Sequence, residues 1–201
     1  MAANRSGELN APKDFEAVRE VLSGNPEAFE RIVRGYQNLV ASVAYRLGVP
    51  RNEVEDIVSE VMIKVYRNLA GYRPEFALST WIYRITVNHV HDWLHRHRFD
   101  REARPVPETL ADSAESAPDR VAGLERAERV REALAEVPEM YRVPLVLMHV
   151  EERSVGEIGR ILALPENTVK TRLARGRARL AAILRERCPD LMPDPAQGEA
   201  S

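Results

Sequence analysis

The strongest indication of the fold comes from residues 154–180, SVGEIGRILALPENTVKTRLARGRARL. Ser154 and Glu157 have the spacing of a capping box, which predicts that a helix begins there. Pro165 cannot continue that helix, but it suits the first turn of a second one. A second, strongly basic helix is predicted over about residues 166–180, so the stretch has the pattern of a helix-turn-helix.

The second helix of this pattern has two different faces. Apolar residues recur at three- and four-residue spacing and are predicted to pack inward, namely Val169, Leu173, Gly176 and Leu180. On another side, Thr and Arg side chains predict contacts with DNA, because both can reach base edges and Arg also binds phosphates. The residues predicted to bind DNA are Thr168, Lys170, Thr171, Arg172, Arg175, Arg177 and Arg179. The alternative is a solvated basic helix in an ordinary bundle.

Composition and charge leave the class of protein open. The chain has 201 residues and a formal net charge of −2, which permits one large domain or two small ones and does not by itself indicate nucleic-acid binding. The single cysteine, Cys188, excludes an internal disulfide and fits a reducing compartment. No N-terminal signal core and no apolar run of roughly 20 residues occurs. A cytoplasmic protein with no direct membrane binding is therefore expected.

Helical periodicity extends over the rest of the chain, and no strand pattern interrupts it. The predicted fold class is all-α, with two helical bundles joined by a flexible linker and the helix-turn-helix in the C-terminal bundle. The linker is predicted from its acidic, proline-containing composition. Ser79 is predicted to cap the last helix of the first bundle. The predicted divisions are a disordered N-terminus over 1–13, a helical domain over 14–98, the linker over 99–124, a second helical domain over 125–187 and a disordered tail over 188–201.

Four more segments accompany the helix-turn-helix in a fixed order along the chain. They are Ala28-Phe29-Glu30 through Tyr36, Glu55-Asp56-Ile57-Val58-Ser59-Glu60-Val61 through Tyr66, Ser79-Thr80-Trp81-Ile82-Tyr83-Arg84-Ile85-Thr86-Val87-Asn88, and Leu134 to Leu147. Their order and spacing resemble those of the bacterial extracytoplasmic-function (ECF) sigma factors, which are specificity subunits of RNA polymerase. The resemblance covers roughly residues 15–185.

The resemblance implies roles for three surfaces. One helix would dock on the coiled coil of the largest polymerase subunit through Glu55, Asp56, Ser59, Glu60 and Lys64. The opened minus-ten promoter strand, which needs aromatic faces and hydrogen-bond donors, would be held by Tyr72, Phe76, Asn88, Arg84, Arg96 and Arg98. The minus-thirty-five element would be read by Thr168, Thr171, Arg172 and Arg175, with phosphates bound by Lys170, Arg177 and Arg179. Trp81 and Tyr83 are predicted to lie in the core instead.

The expected function that follows from this resemblance is that of a sigma factor and not of an enzyme. Such a protein binds core RNA polymerase, recognises promoter DNA and helps to open it. It thereby directs initiation at stress- or signal-responsive genes. An anti-sigma factor, often membrane-anchored in this family, is expected to hold it inactive. No catalytic residue, cofactor or metal is expected.

Three other classes of protein are compatible with parts of the sequence. A dimeric regulator that binds DNA by itself would also use a helix-turn-helix. A metal-dependent enzyme is indicated by His91 and His95, which share a helix face between His89 and His97, although the Glu of a zinc-protease motif is missing. An adaptor that binds polymerase but not promoter DNA is the third class. DNA binding without polymerase distinguishes the regulator, and metal analysis distinguishes the enzyme.

Overall fold

The computed structural model describes residues 11–97 and 118–191. Within those ranges the secondary structure is helical and contains no strand, so the predicted all-α fold class is confirmed. The helices are α1 (Ala11–Leu22), α2 (Phe29–Arg46), α3 (Val54–Asn68), α4 (Leu78–Arg96), α5 (Pro118–Glu136), α6 (Glu139–His149), α7 (Val155–Leu162) and α8 (Glu166–Arg187). None of these helices is both long and apolar enough to cross a membrane.

The N-terminal half is a bundle in which α2 packs against α1, α3 and α4. Apolar residues at helical spacing explain this arrangement, since Ile32, Val40 and Val43 form one buried face of α2. Burying one such aliphatic side chain contributes roughly 1.5–3 kcal/mol relative to leaving it exposed. Tyr83 of α4 is buried, as predicted for the core, whereas Trp81 is only half-buried.

The C-terminal half is organised around α8, which α5, α6 and α7 all contact. Val146, Ile158 and Val169 are fully buried where these helices meet. Gly176 lets α6 and α8 approach closely, since a Cβ atom at that position would lie 3.0 Å from Cδ1 of Leu145. The two halves also touch, because α4 packs against α7 and the buried side chains of both halves form one continuous core.

Three predicted boundaries are wrong. α1 begins at Ala11, inside the predicted disordered N-terminus. α5 begins at Pro118, inside the predicted linker, because proline suits the first turn of a helix. At the predicted disordered tail, Cys188 is buried, and Arg129 holds Asp190 in a bidentate ion pair with distances of 2.6 and 2.7 Å. The rest of the predicted linker and of both termini lies outside the described residues.

The ends of α4 and α8 also differ from their predictions. Ala77, rather than Ser79, precedes the first residue of α4 and takes an extended conformation with ψ of 140°. Ser79 is buried inside the first turn, so packing of this helix against the bundle outweighs the local capping preference of serine. α8 continues to Arg187 instead of ending near Leu180, since the alanine, leucine and arginine residues of its last turns are good helix formers.

Two glycines inside helices are expected to respond oppositely to alanine. At Gly159 of α7, a Cβ atom would lie 2.8 Å from the backbone oxygen of Leu164, so the turn after α7 would have to shift. We expect Gly159→Ala to lower the free energy of unfolding by up to about 2 kcal/mol, because overpacking outweighs the better helix propensity of alanine. A Cβ atom at Gly35 of α2 would meet nothing within 4 Å.

Gly35→Ala is therefore the matched control, and it is expected to raise the free energy of unfolding by up to about 1 kcal/mol. Chemical denaturation of both variants measures the two effects. Stabilisation by both substitutions would contradict the close approach of α7 to the turn that follows it.

Candidate functional site

The helix-turn-helix begins with the predicted capping box. The Ser154 hydroxyl accepts a hydrogen bond from the Glu157 backbone N–H at 3.3 Å, and the Glu157 carboxylate accepts one from the Ser154 N–H at 2.9 Å. After α7, Ala163 takes the left-handed conformation with φ of 55°. The Leu164 N–H then donates to the Gly159 carbonyl at 2.9 Å. The chain turns directly into α8, as the sequence pattern predicts.

α8 has the two faces that its sequence predicts. Val169, Leu173 and Gly176 are buried against the rest of the C-terminal half, while Leu180 is half-buried. The buried face fixes the rotation of α8 about its own axis. The hydroxyl and guanidinium side chains are therefore directed away from the core of this half.

A shallow groove lies beside the start of α8. Met140 and Tyr141 of α6 line it together with Asn167. The groove also brings together all four residues predicted to read bases, which are Thr168, Thr171, Arg172 and Arg175. Sequence reasoning missed Met140 and Tyr141 as part of this surface, because only tertiary packing brings the beginning of α6 beside α8.

None of the three residues predicted to bind phosphates lines this groove. Lys170 and Arg179 are exposed on α8. Arg177 differs from them, because its Nε donates to Nε2 of His149 at 3.3 Å and it therefore lies beside the end of α6. Arg187, near the end of α8, forms an ion pair with Glu136 at 2.6 Å.

α3 has an acidic surface at its beginning. Glu55, Asp56, Ser59 and Glu60 are exposed, and Lys64 is half-buried, so the structure places all five predicted residues along one helix. The acidic groups of the first turn lie at the positive end of the helix dipole, which stabilises negative charge.

Two exposed apolar side chains extend the same surface along α3. Ile63 is 49% exposed and Tyr66 is 45% exposed. The Tyr66 ring packs edge-on against Phe29, with ring centres 5.0 Å apart. Neither side chain was among the residues predicted to dock on polymerase, although both fall outside the apolar repeat of α3. Tyrosine is enriched in protein–protein interfaces, so an exposed Tyr66 suits a surface that binds another protein.

The loop between α3 and α4 is held together by Tyr72. The Tyr72 hydroxyl donates to the backbone oxygen of Phe76 at 2.8 Å, and the Tyr72 ring lies 5.5 Å from the ring of Trp81. Burial raises the pKa of Tyr72, and the charge of Asp14 adds to this, so the hydroxyl stays protonated and able to donate. The Phe76 side chain is 48% exposed. The loop thus presents the ring of Phe76 to solvent more fully than that of Tyr72.

The other residues predicted for this surface lie along α4. Arg84 and Asn88 are exposed and four positions apart, which places them on one helix face. Arg96 lies further along, in a shallow groove that it shares with Lys64, His91, Asp92 and His95. The structure thus brings Arg84 and Asn88 together and places Arg96 next to the surface of α3. Arg98 lies outside the described residues.

The histidines of α4 point in different directions. His89 is buried, and burial lowers its pKa. The rings of His91 and His95 lie 4.9 Å apart, while the His97 ring stacks on Trp93 at 4.3 Å. Over residues 11–97 and 118–191, no group of three or more His, Cys, Asp or Glu side chains could hold a metal ion.

The basic helix-turn-helix, joined to a second helical bundle, defines a class of helical DNA-binding protein. Family models for sigma-70 region 2 and sigma-70 region 4 match residues 32–99 and 127–180. The chain is 31% identical over 178 residues to the ECF RNA polymerase sigma factor SigW of Bacillus subtilis, a match that covers 84% of this chain and 95% of that protein. The chain therefore belongs to the ECF family of RNA polymerase sigma factors.

Two further comparisons agree with this assignment. The ECF RNA polymerase sigma-E factor of Escherichia coli is 32% identical over 178 residues, covering 82% of this chain and 90% of that protein. The structure of CnrH in complex with the cytosolic domain of CnrY superimposes with a TM-score of 0.64 and 25% identity, covering 90% of this chain and 98% of CnrH. The predicted resemblance is confirmed. As a sigma factor, the chain binds core RNA polymerase, recognises promoter DNA and directs transcription initiation.

Proposed function

We propose that this sigma factor has three binding surfaces, each for a different partner or promoter element. α8 and the groove beside it read the minus-thirty-five element, the loop before α4 and the exposed face of α4 hold the minus-ten strand, and α3 docks on polymerase. The observation that supports this most is the groove beside α8, where four predicted base-reading side chains lie together. The chain itself performs no bond chemistry, since it contributes binding energy and strand separation to a reaction that polymerase catalyses.

The groove beside α8 has the chemistry of a major-groove reader. Thr168 and Thr171 supply short hydroxyl groups and methyl groups, which suit base edges and the methyl group of thymine. Arg172 and Arg175 supply guanidinium groups, which pair with O6 and N7 of guanine. Met140, which lies beside them, adds an apolar contact of the kind that thymine accepts. Phosphate contacts are proposed for Lys170, Arg177 and Arg179.

The loop before α4 has an exposed ring and a supporting ring. We assign base stacking to Phe76, because its ring is exposed, and loop support to Tyr72, because its hydroxyl is already bonded to the Phe76 backbone. Asn88 offers both a donor and an acceptor for base readout, and Arg84 on the same face suits a phosphate. Arg96 is proposed to bind a phosphate nearer to α3.

Polymerase docking is proposed for α3. We expect Asp56→Lys to weaken binding to core polymerase by at least about tenfold, because reversing a charge in a polar interface opposes both encounter and docking. Titration of labelled core polymerase with the purified chain measures the effect. Glu16→Lys makes the same charge change on the exposed face of α1 and is the matched control. Equal affinities of the two variants for core would remove α3 from the docking surface.

An inhibitory partner is also proposed. CnrH, which is similar to this chain over most of its length, was solved in complex with the cytosolic domain of CnrY. Because that similar protein was solved bound to another protein, we propose that this chain also binds a partner, an anti-sigma factor that holds it inactive. Anti-sigma factors are often membrane-anchored in this family. We further propose that the chain works in the cytoplasm at stress- or signal-responsive promoters. Affinity purification of the chain from unstressed cells tests this. Recovery of the chain without any stoichiometric partner would count against an inhibitor.

A further inference from the structure

One polar side chain of the groove beside α8 is not among those proposed to read bases. Asn167 is the second residue of α8, its side chain is exposed, and it lines the groove with Thr168, Thr171, Arg172 and Arg175. In a helix-turn-helix, the N-terminal residues of the second helix are those that contact base edges. Asn167 therefore lies where α8 is expected to come closest to the bases.

The amide group of Asn167 is available for a contact with DNA. Within the part of the chain that the structure describes, the only side-chain hydrogen bond of Asn167 goes to its backbone carbonyl and leaves Oδ1 and Nδ2 without a partner. An asparagine amide places a donor and an acceptor side by side. That pair matches N7 and the N6 amino group of adenine in the major groove, so the amide suits adenine.

The Thr171 hydroxyl is turned towards its own helix. It donates to the Asn167 carbonyl at 2.9 Å, so its hydrogen is not available to a base. Thr171 therefore offers the groove its methyl group and not a hydrogen-bond donor. Met140 of α6 lines the same groove with a side chain that is 48% exposed. Apolar groups of this kind contact the methyl group of thymine, so the groove has an amide for adenine and apolar groups for thymine.

The acidic neighbour of Asn167 is directed towards α7. A Cβ atom at Gly156 of α7 would lie 3.2 Å from Oε1 of Glu166, so this carboxylate lies beside α7 and is not among the groups that line the groove. A carboxylate in the groove would accept a hydrogen bond from cytosine and would repel the phosphates of DNA. The position of Glu166 thus leaves Asn167 as the first polar residue of α8 in the groove.

We propose that Asn167 is a specificity-determining residue that pairs with an adenine at one end of the minus-thirty-five element. The inference rests on the proposal that α8 reads this element. An α-helix rises about 1.5 Å per residue, so Asn167 and Arg175 are separated by about 12 Å along α8. Successive base pairs of B-DNA lie about 3.4 Å apart. The adenine is therefore expected within about four base pairs of a guanine that Arg175 contacts.

Randomised promoter DNA tests this role in the complete polymerase complex. The probe is a promoter at which core polymerase and the unaltered chain start transcription, with random base pairs in place of its minus-thirty-five element. Sequencing of the bound and unbound fragments gives the base preference at every position. Asn167→Ala is expected to reduce the preference for adenine at one position by roughly 5- to 150-fold, because it removes both hydrogen bonds. Asn167→Asp is expected to shift that preference towards cytosine, since a carboxylate accepts from N4 of cytosine but cannot donate to N7 of adenine.

Glu166→Gln is the matched control. It removes the charge of the neighbouring exposed side chain, so it should change the affinity for all sequences alike and leave the base preference at each position as it was. An unchanged adenine preference in Asn167→Ala would overturn the role of Asn167. Equal loss of preference at every position would also overturn it, because that result indicates a general defect of α8.

Arg172→Ala separates failure of this inference from failure of the proposed function. A changed preference in Arg172→Ala, with none in Asn167→Ala, would overturn only the role of Asn167. A chain that directs no transcription, or that shows no preference at any randomised position, would overturn the reading of this element by α8 and the role of Asn167 with it.

Discussion

Replacing Arg172 by alanine is expected to weaken promoter binding by the polymerase complex by roughly 5- to 150-fold, since a bidentate contact with guanine is worth about 1–3 kcal/mol. Arg172 lies in the groove beside α8, with Thr168, Thr171 and Arg175 around it. Loss of a base contact also reduces the discrimination between the promoter and a variant with one changed base pair. Filter binding or fluorescence anisotropy at fixed salt measures both quantities.

Arg185→Ala is the matched control for Arg172→Ala. It removes the same charge from an exposed position on the same helix, but away from the groove. Arg179→Ala provides a second comparison, because loss of a phosphate contact weakens binding to all sequences alike and lowers the salt slope by about 1. Equal promoter affinity and equal base discrimination in Arg172→Ala and Arg185→Ala would remove Arg172 from the reading surface.

Phe76→Ala is expected to impair promoter opening more than initial promoter binding. Stacking of one unpaired base on an aromatic ring contributes about 1–3 kcal/mol, so the open complex should lose roughly 5- to 150-fold in stability. Phe76 is well placed for this, because its ring is exposed while the Tyr72 hydroxyl holds the backbone of the loop. Permanganate reactivity of unpaired thymines reports how much promoter DNA is open.

Phe15→Ala is the control for this experiment. Phe15 is an exposed aromatic residue of the N-terminal half, but it lies on α1 and outside the loop. Its removal should leave permanganate reactivity unchanged. Similar loss of open complex in both variants would point to a general defect of the N-terminal half and not to stacking by Phe76.

The helix-turn-helix could be predicted because its signals are local. The capping residues Ser154 and Glu157 lie three positions apart, α7 ends at the left-handed Ala163, and Pro165 directly precedes α8, so no distant contact is needed to specify the turn. The capping prediction that failed depends on packing, because Ser79 is buried within α4.

The proposed binding residues could likewise be predicted only where the residues lie on a single helix. The sequence grouped the four residues of α8 that we propose read bases, because they share one face of one helix. It did not identify Met140, which another helix brings into the groove. The hydrogen bonds that Glu151 accepts from Tyr83 and Ser42 could not be predicted from the sequence either, since these residues are 68 and 109 positions away along the chain. The residue periodicity of a single helix does not reveal contacts between residues that are far apart in sequence and meet only in the folded structure.

Transcription from a genomic-fragment library by purified bacterial core polymerase, with and without this chain, tests whether the chain acts as a sigma factor. We expect discrete start sites that appear only when the chain is present. The sequences upstream of those starts should share two elements, one for each helical half. Stable binding to core polymerase without any new start site would contradict promoter recognition by this chain, and absence of binding to core would contradict its action as a sigma factor.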